Sequence, residues 1–104
     1  MITAAFAKLE TDASEIARIL RVFANELRMC ILCGLAANKE LSNVALAEAI
    51  PISQSALSQH LMKLRKNGFI VTRRSGHNSF YRLATPRAAQ LVIGLHTILK
   101  MRNR

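Results

Sequence analysis

Few side chains in this 104-residue chain could support covalent or acid–base chemistry: two cysteines (Cys30, Cys33), three histidines (His60, His77, His96) and six acids. No nucleophile, base and orienting group fall into a recognisable set, no two carboxylates are paired, and no glycine-rich loop is built to cradle a phosphate. Nothing here supports an enzyme. Cys30 and Cys33 lie one helical turn apart, about 60° around the axis, a geometry that suits a short S–S bridge poorly. Small apolar filler is the ordinary role of such thiols; redox chemistry is the alternative.

A different chemistry, hydrogen bonding and charge, is concentrated in residues 52–68, ISQSALSQHLMKLRKNG. Ser55, Gln59, Met62 and Lys66 recur at helical spacing, flanked by Ser58 and Lys63. Hydroxyls and amides near a helix N-terminus can reach base edges while cations further along meet phosphates. That face suits a DNA groove, although a solvated face of any amphipathic helix has similar ingredients. Leu57, Leu61 and Leu64 form the opposite, core-facing stripe. His60 borders that stripe, so packing or a backbone phosphate fits it better than base reading. His96 reads as a surface or interface histidine.

The elements that must position this face follow from caps and periodicity. Ser53 caps a helix from Gln54 to about Asn67, with Gly68 as its stop. Ser42 caps a short helix, Asn43 to Ala49, which ends because Ile50 precedes Pro51. Short helix, turn and capped helix, residues 42–67, make a helix-turn-helix. Phe6, Leu9, Ala13, Ile16, Leu20 and Phe23 form a heptad seam on one long helix, about Ala4 to Ala24; Asp12 with Glu15 could instead split it near Thr11. Asn25 caps a nearly all-apolar, central helix to about Asn38. Glu40–Leu41 is a candidate extended bridge.

After Gly68 the period becomes alternating. Residues 69–74 and 79–83 read as two strands around a turn at residues 75–78, where Gly76 and Asn78 tolerate positive φ. A basic hairpin beside a helix-turn-helix is a wing, with Arg73, Arg74 and His77 toward the DNA backbone or minor groove. A hairpin with a merely solvated edge is the alternative. Thr85–Pro86 opens a last helix, seamed by Ala88, Leu91, Leu95 and Ile98. Seams at both ends, residues 1–24 and 85–104, can dimerise the domain through Phe6, Leu9, Ile16, Leu20, Leu91, Leu95 and Ile98. The expectation is one mainly α domain over residues 1–104: about five helices and a two-stranded wing, dimeric.

Charge narrows the partner. Residues 1–50 carry five Lys or Arg against six acids, whereas residues 51–104 carry ten Lys or Arg and no acid. A segment so basic calls for a polyanion, most commonly nucleic acid; an anionic membrane surface or a ribosome would satisfy the same balance. No stretch is long and apolar enough to cross a bilayer, and the N-terminus lacks a signal-peptide pattern. A cytoplasmic protein, nucleoid-associated on DNA, with reduced thiols is expected.

Ser53-Gln54-Ser55-Ala56-Leu57-Ser58-Gln59-His60-Leu61, then Leu64-Arg65 and Phe80-Tyr81-Arg82-Leu83, resemble the ArsR/SmtB-type (arsenical-resistance-repressor) family of bacterial winged helix-turn-helix regulators, over about residues 16–99. The resemblance implies a homodimeric repressor that binds an inverted repeat in double-stranded DNA. Gln54, Ser55, Ser58 and Gln59 then face the major groove, with Ser53, His60, Lys63, Lys66, Arg73, Arg74 and His77 as the other DNA-binding residues. The family's ELCVCDL thiolate motif corresponds here to Glu40-Leu41-Ser42-Asn43-Val44-Ala45-Leu46, with Ser42 and Val44 in place of its cysteines. Residues 86–104 offer only His96 toward the family's other metal site. No metal and no cofactor are expected. The biofilm-growth and haemolysin-regulator branch is the most similar. Cys33 matches its first sensor cysteine, and Lys100 stands where the second belongs. Pro51 replaces the glycine common in the family's turn, and since proline cannot take φ > 0 the turn must close differently.

Overall fold

The computed structural model describes the backbone of residues 4–101 and the side chains of residues 12–101. Phe6 and Leu9 of the N-terminal seam fall outside the described side chains. The order is α1 (Ala4–Phe23), α2 (Glu26–Ala37), β1 (Leu41–Ser42), α3 (Asn43–Ala49), α4 (Gln54–Lys66), β2 (Ile70–Ser75), β3 (Asn78–Leu83) and α5 (Pro86–Met101). α1 runs without a break past Thr11.

Side-chain caps begin four of the helices. Asn25 accepts from Arg28 N at 3.0 Å, Ser42 from Ala45 N at 3.0 Å, Ser53 from Ala56 N at 3.1 Å and Thr85 from Ala88 N at 3.1 Å. Each satisfies one orphan amide, a contribution of about 1 kcal/mol. Arg28 also secures the corner between α1 and α2, its Nε donating to Val22 O at 2.7 Å.

One apolar cluster fills the centre. Ile31, Leu32 and Leu35 of α2, Leu46 of α3, Leu57, Leu61 and Leu64 of α4, and Ala88 and Val92 of α5 converge with Val22, Phe23, Phe69 and Ile70. Phe23 and Phe69 stack at a tilt with centroids 5.1 Å apart, joining the end of α1 to the start of the wing. The leucine stripe of α4 is therefore clamped from several sides, and its opposite face is fixed outward.

The sheet differs from a plain hairpin. Its order is β1-β3-β2, all antiparallel, with Leu41 opposite Tyr81 and Ser42 opposite Phe80. The wing is thus three-stranded, because the extended Leu41–Ser42 segment satisfies the outer edge of β3. At the tip Ser75 pairs with Asn78 around Gly76 and His77. Gly76 has φ +62 and His77 does not, the pattern of a type II′ turn. Asn78 does not need the positive φ expected of it, since it already belongs to the ladder. Gly68, at φ +81, is the left-handed residue that ends α4.

Pro51 closes the helix-turn-helix by a local device. Ile52 N donates to Ile50 O at 2.8 Å, a three-residue turn centred on the proline. A negative φ serves there, so no glycine is required.

Candidate nucleic-acid interface

α4 presents Ser53, Gln54, Ser55, Ser58, Gln59, Met62, Lys63, Arg65 and Lys66 to solvent, while its three leucines are buried. Successive residues turn by about 100°, which brings Ser55, Gln59, Met62 and Lys66 to one face. None of these side chains bonds to another part of the protein among the described residues. His60 is half-buried at the edge of the leucine stripe. The last turn is braced: Asn67 Nδ2 donates to Lys63 O at 2.8 Å, and Arg18 Nη1 of α1 donates to Asn67 Oδ1 at 3.3 Å.

The wing stands beside α4 and is tied to α3 as well, through Ser79 N donating to Asn43 Oδ1 at 3.2 Å. Alternation along β2 sends Arg73 and Arg74 to opposite faces of the ribbon. Arg74 shares its face with Ile70, Thr72 and, across the ladder, Tyr81, but lies beyond the core and is exposed. Arg73 shares the other face with Phe80, its guanidinium 4.5 Å from the ring centroid.

Arg73 also has an ion-pair partner that sequence reasoning missed. Its Nε and Nη2 donate to the two carboxylate oxygens of Glu40 at 2.9 and 2.7 Å, a bidentate pair. The Arg73 hydrogen bonds hold the Glu40 carboxyl below its ordinary 4.5 and raise the Arg73 guanidinium in return. The partners are 33 residues apart in sequence. Only the position of Glu40 directly before the extended Leu41 hinted that it could meet the wing. His77 sits exposed at the wing tip.

The cysteines require a correction. The small-apolar-filler reading assumed burial, but both Cys30 and Cys33 are exposed free thiols. α2 is apolar nearly all round, so composition could not show which third of it stays uncovered. The buried side carries Ile31, Leu32 and Leu35, and the thiols fall opposite. Cys33 lines a cavity of about 240 Å³ between α2 and α5 with Ala36, Ala37, Val92, Ile93 and His96. Among the described residues no three His, Cys, Asp or Glu side chains gather as metal ligands.

The seam residues separate into two groups. Ile16, Leu20, Leu95 and Ile98 are exposed large apolar side chains, whereas Leu91 is half-buried against the chain's own core.

A capped helix with an unengaged polar and cationic face, set beside a basic hairpin in a five-helix frame, defines a winged helix-turn-helix DNA-binding regulator. Comparison with known proteins gives the family. Residues 25–72 match the bacterial regulatory protein, arsR family. The transcriptional activator HlyU of Vibrio cholerae is 36% identical over 97 residues, covering 93% of this chain and 89% of that protein. The structure of reduced HlyU superposes with a TM-score of 0.81 at 37% identity, over 88% of this chain and 95% of that one. The biofilm growth-associated repressor of Xylella fastidiosa is 40% identical over 90 residues, 86% of this chain and 78% of that protein. The homodimeric winged helix-turn-helix DNA-binding domain Mb0332 of Mycobacterium bovis superposes with a TM-score of 0.75 at 27% identity, over 96% and 89% of the two chains. The chain belongs to the arsR family of bacterial transcriptional regulators.

Proposed function

We propose that this regulator is a repressor that binds an inverted-repeat operator as a homodimer. The observation that carries the reading is the outward face of α4: Ser55, Gln59 and Lys66 are aligned, exposed and without intramolecular partners beside a basic wing. In this reading Gln54, Ser55, Ser58 and Gln59 contact base edges. Ser53, His60, Lys63, Lys66, Arg74 and His77 contact the backbone, and Arg73 does so only when it leaves Glu40. Exposed Ile16, Leu20, Leu95 and Ile98 on α1 and α5 supply a face for a second copy, and the similar M. bovis domain is homodimeric. Two reading helices then double the contacts on a two-fold symmetric site. The curated relatives act in both directions, one as an activator and one as a repressor. Repression needs nothing beyond a dimer seated across a promoter.

A second reading, thiol control of DNA binding, is favoured by the exposure of Cys33 beside the cavity between α2 and α5. Operator selection from a random duplex pool tests both, run with reduced protein and repeated after mild oxidation or polysulfide. An enriched inverted repeat supports operator binding as a homodimer, no enrichment at all overturns it, and reduced transcription from a promoter carrying that repeat distinguishes a repressor from an activator. Equal enrichment in both states overturns thiol control alone.

A further inference from the structure

The exposed large apolar side chains are not scattered evenly. Most lie on α1 and α5, Val44 lies on α3, and Met62 stands apart, 66% exposed in the middle of the polar face of α4. It lines a shallow hollow of about 490 Å³ with Gln59, Lys63, Lys66 and Asn67. No core explains it, since its side chain points away from the leucine stripe. A flexible apolar side chain ringed by two lysines and two amides fits a partner that is anionic overall and apolar at one point.

Duplex DNA has that character. Its backbone is a polyanion, and the major-groove edge of its base pairs carries one methyl group, on thymine C5. Met62 lies about one turn beyond Gln59 on the same face, about 4.5 Å along the axis, against about 3.4 Å between base pairs, so it reaches toward a base pair beyond that of Gln59. Methionine adapts its unbranched chain to an irregular contact. We propose that Met62 is a specificity-determining residue of α4, packing its side chain on the 5-methyl group of a thymine in each half-site. The proposal rests on the operator-binding reading above and adds a base preference to it.

The test uses the full chain and the operator it selects. Each thymine is replaced in turn by uracil, which keeps the pairing and removes only the methyl group. With the wild-type protein, one position per half-site loses about fourfold in affinity, the value of one methyl group taken out of water. Met62→Ala abolishes the loss at that position and leaves the other positions as they were, whereas Met62→Leu keeps it. Because the residue is exposed, the variants unfold at the wild-type temperature, which is checked alongside. If wild type tolerates uracil everywhere, or if Met62→Ala retains every loss, the Met62 contact is overturned and the repressor reading stands. If selection enriches no sequence, both fall.

Discussion

Glu40→Gln isolates what the ion pair on the wing does. The carboxylate engages Arg73 through two charge-assisted hydrogen bonds; glutamine keeps the shape but offers one neutral carbonyl acceptor. The wing hairpin carries three arginines, Arg73, Arg74 and Arg82, and Glu40 cancels one of those charges in the free protein. With glutamine in place, Arg73 becomes available to a phosphate. Each phosphate newly neutralised steepens the dependence of log affinity on log salt by about 0.9 per protomer. For the two wings of the proposed homodimer that is about 1.8, so between about 50 and 200 mM salt the affinity falls by an additional factor of about twelve; the variant binds tighter than wild type at the low end and loses the advantage as salt rises. Fluorescence anisotropy with a labelled duplex across that range reads the slope directly. Arg73→Ala in the wild-type background should then change the slope little, because its charge is already paired. An unchanged slope in Glu40→Gln, or a loss of slope in Arg73→Ala as large as in Arg74→Ala, would refute the reasoning.

The remaining expectations address other parts of the molecule. Gln59→Ala relaxes base preference in a selection experiment, with a cost of about 1–3 kcal/mol at its site, whereas Arg74→Ala weakens binding to every sequence and flattens the salt slope by about 0.9 per protomer. Leu64→Ala, at a fully buried position, destabilises the fold by about 2–5 kcal/mol in denaturant unfolding. Ile98→Asp places a charge on the exposed α5 seam and shifts sedimentation equilibrium to monomer without lowering protomer helicity. The Glu40 pKa is lowered in the folded state, so the stabilisation it brings is complete above the ordinary 4.5 and is lost as pH falls through the folded value. NMR shifts of the Glu40 carboxyl should therefore stay flat between about pH 5 and 8 and move only in acid.

What was legible in the sequence follows the range of the interactions. Asn25, Ser42, Ser53 and Thr85 act on amides three residues away, so the helix starts could be placed from local residues alone. The α4 face was readable for the same reason, its leucine stripe fixing which residues point outward. The third strand was only hinted at, because two residues of β1 have no periodicity and their partners, Phe80 and Tyr81, lie far along the chain. The Glu40–Arg73 pair is non-local and was invisible. The thiols were misplaced because an all-apolar helix carries no record of which side its neighbours cover.

The stitched wing has a mechanical consequence. A hairpin rooted only at its own two ends could swing independently of the helix beside it. Here β3 is laddered to β1, which continues directly into α3 on one side and is joined to α2 by residues 38–40 on the other. A rotation of α2 is therefore geared to both DNA-facing elements together: to α4 through the chain and to the wing through the strand ladder. The span between helix and wing behaves as a fixed gauge. In the proposed homodimer, a tilt of α2 would carry helix and wing together and so change the spacing of half-sites more than the grip within either one.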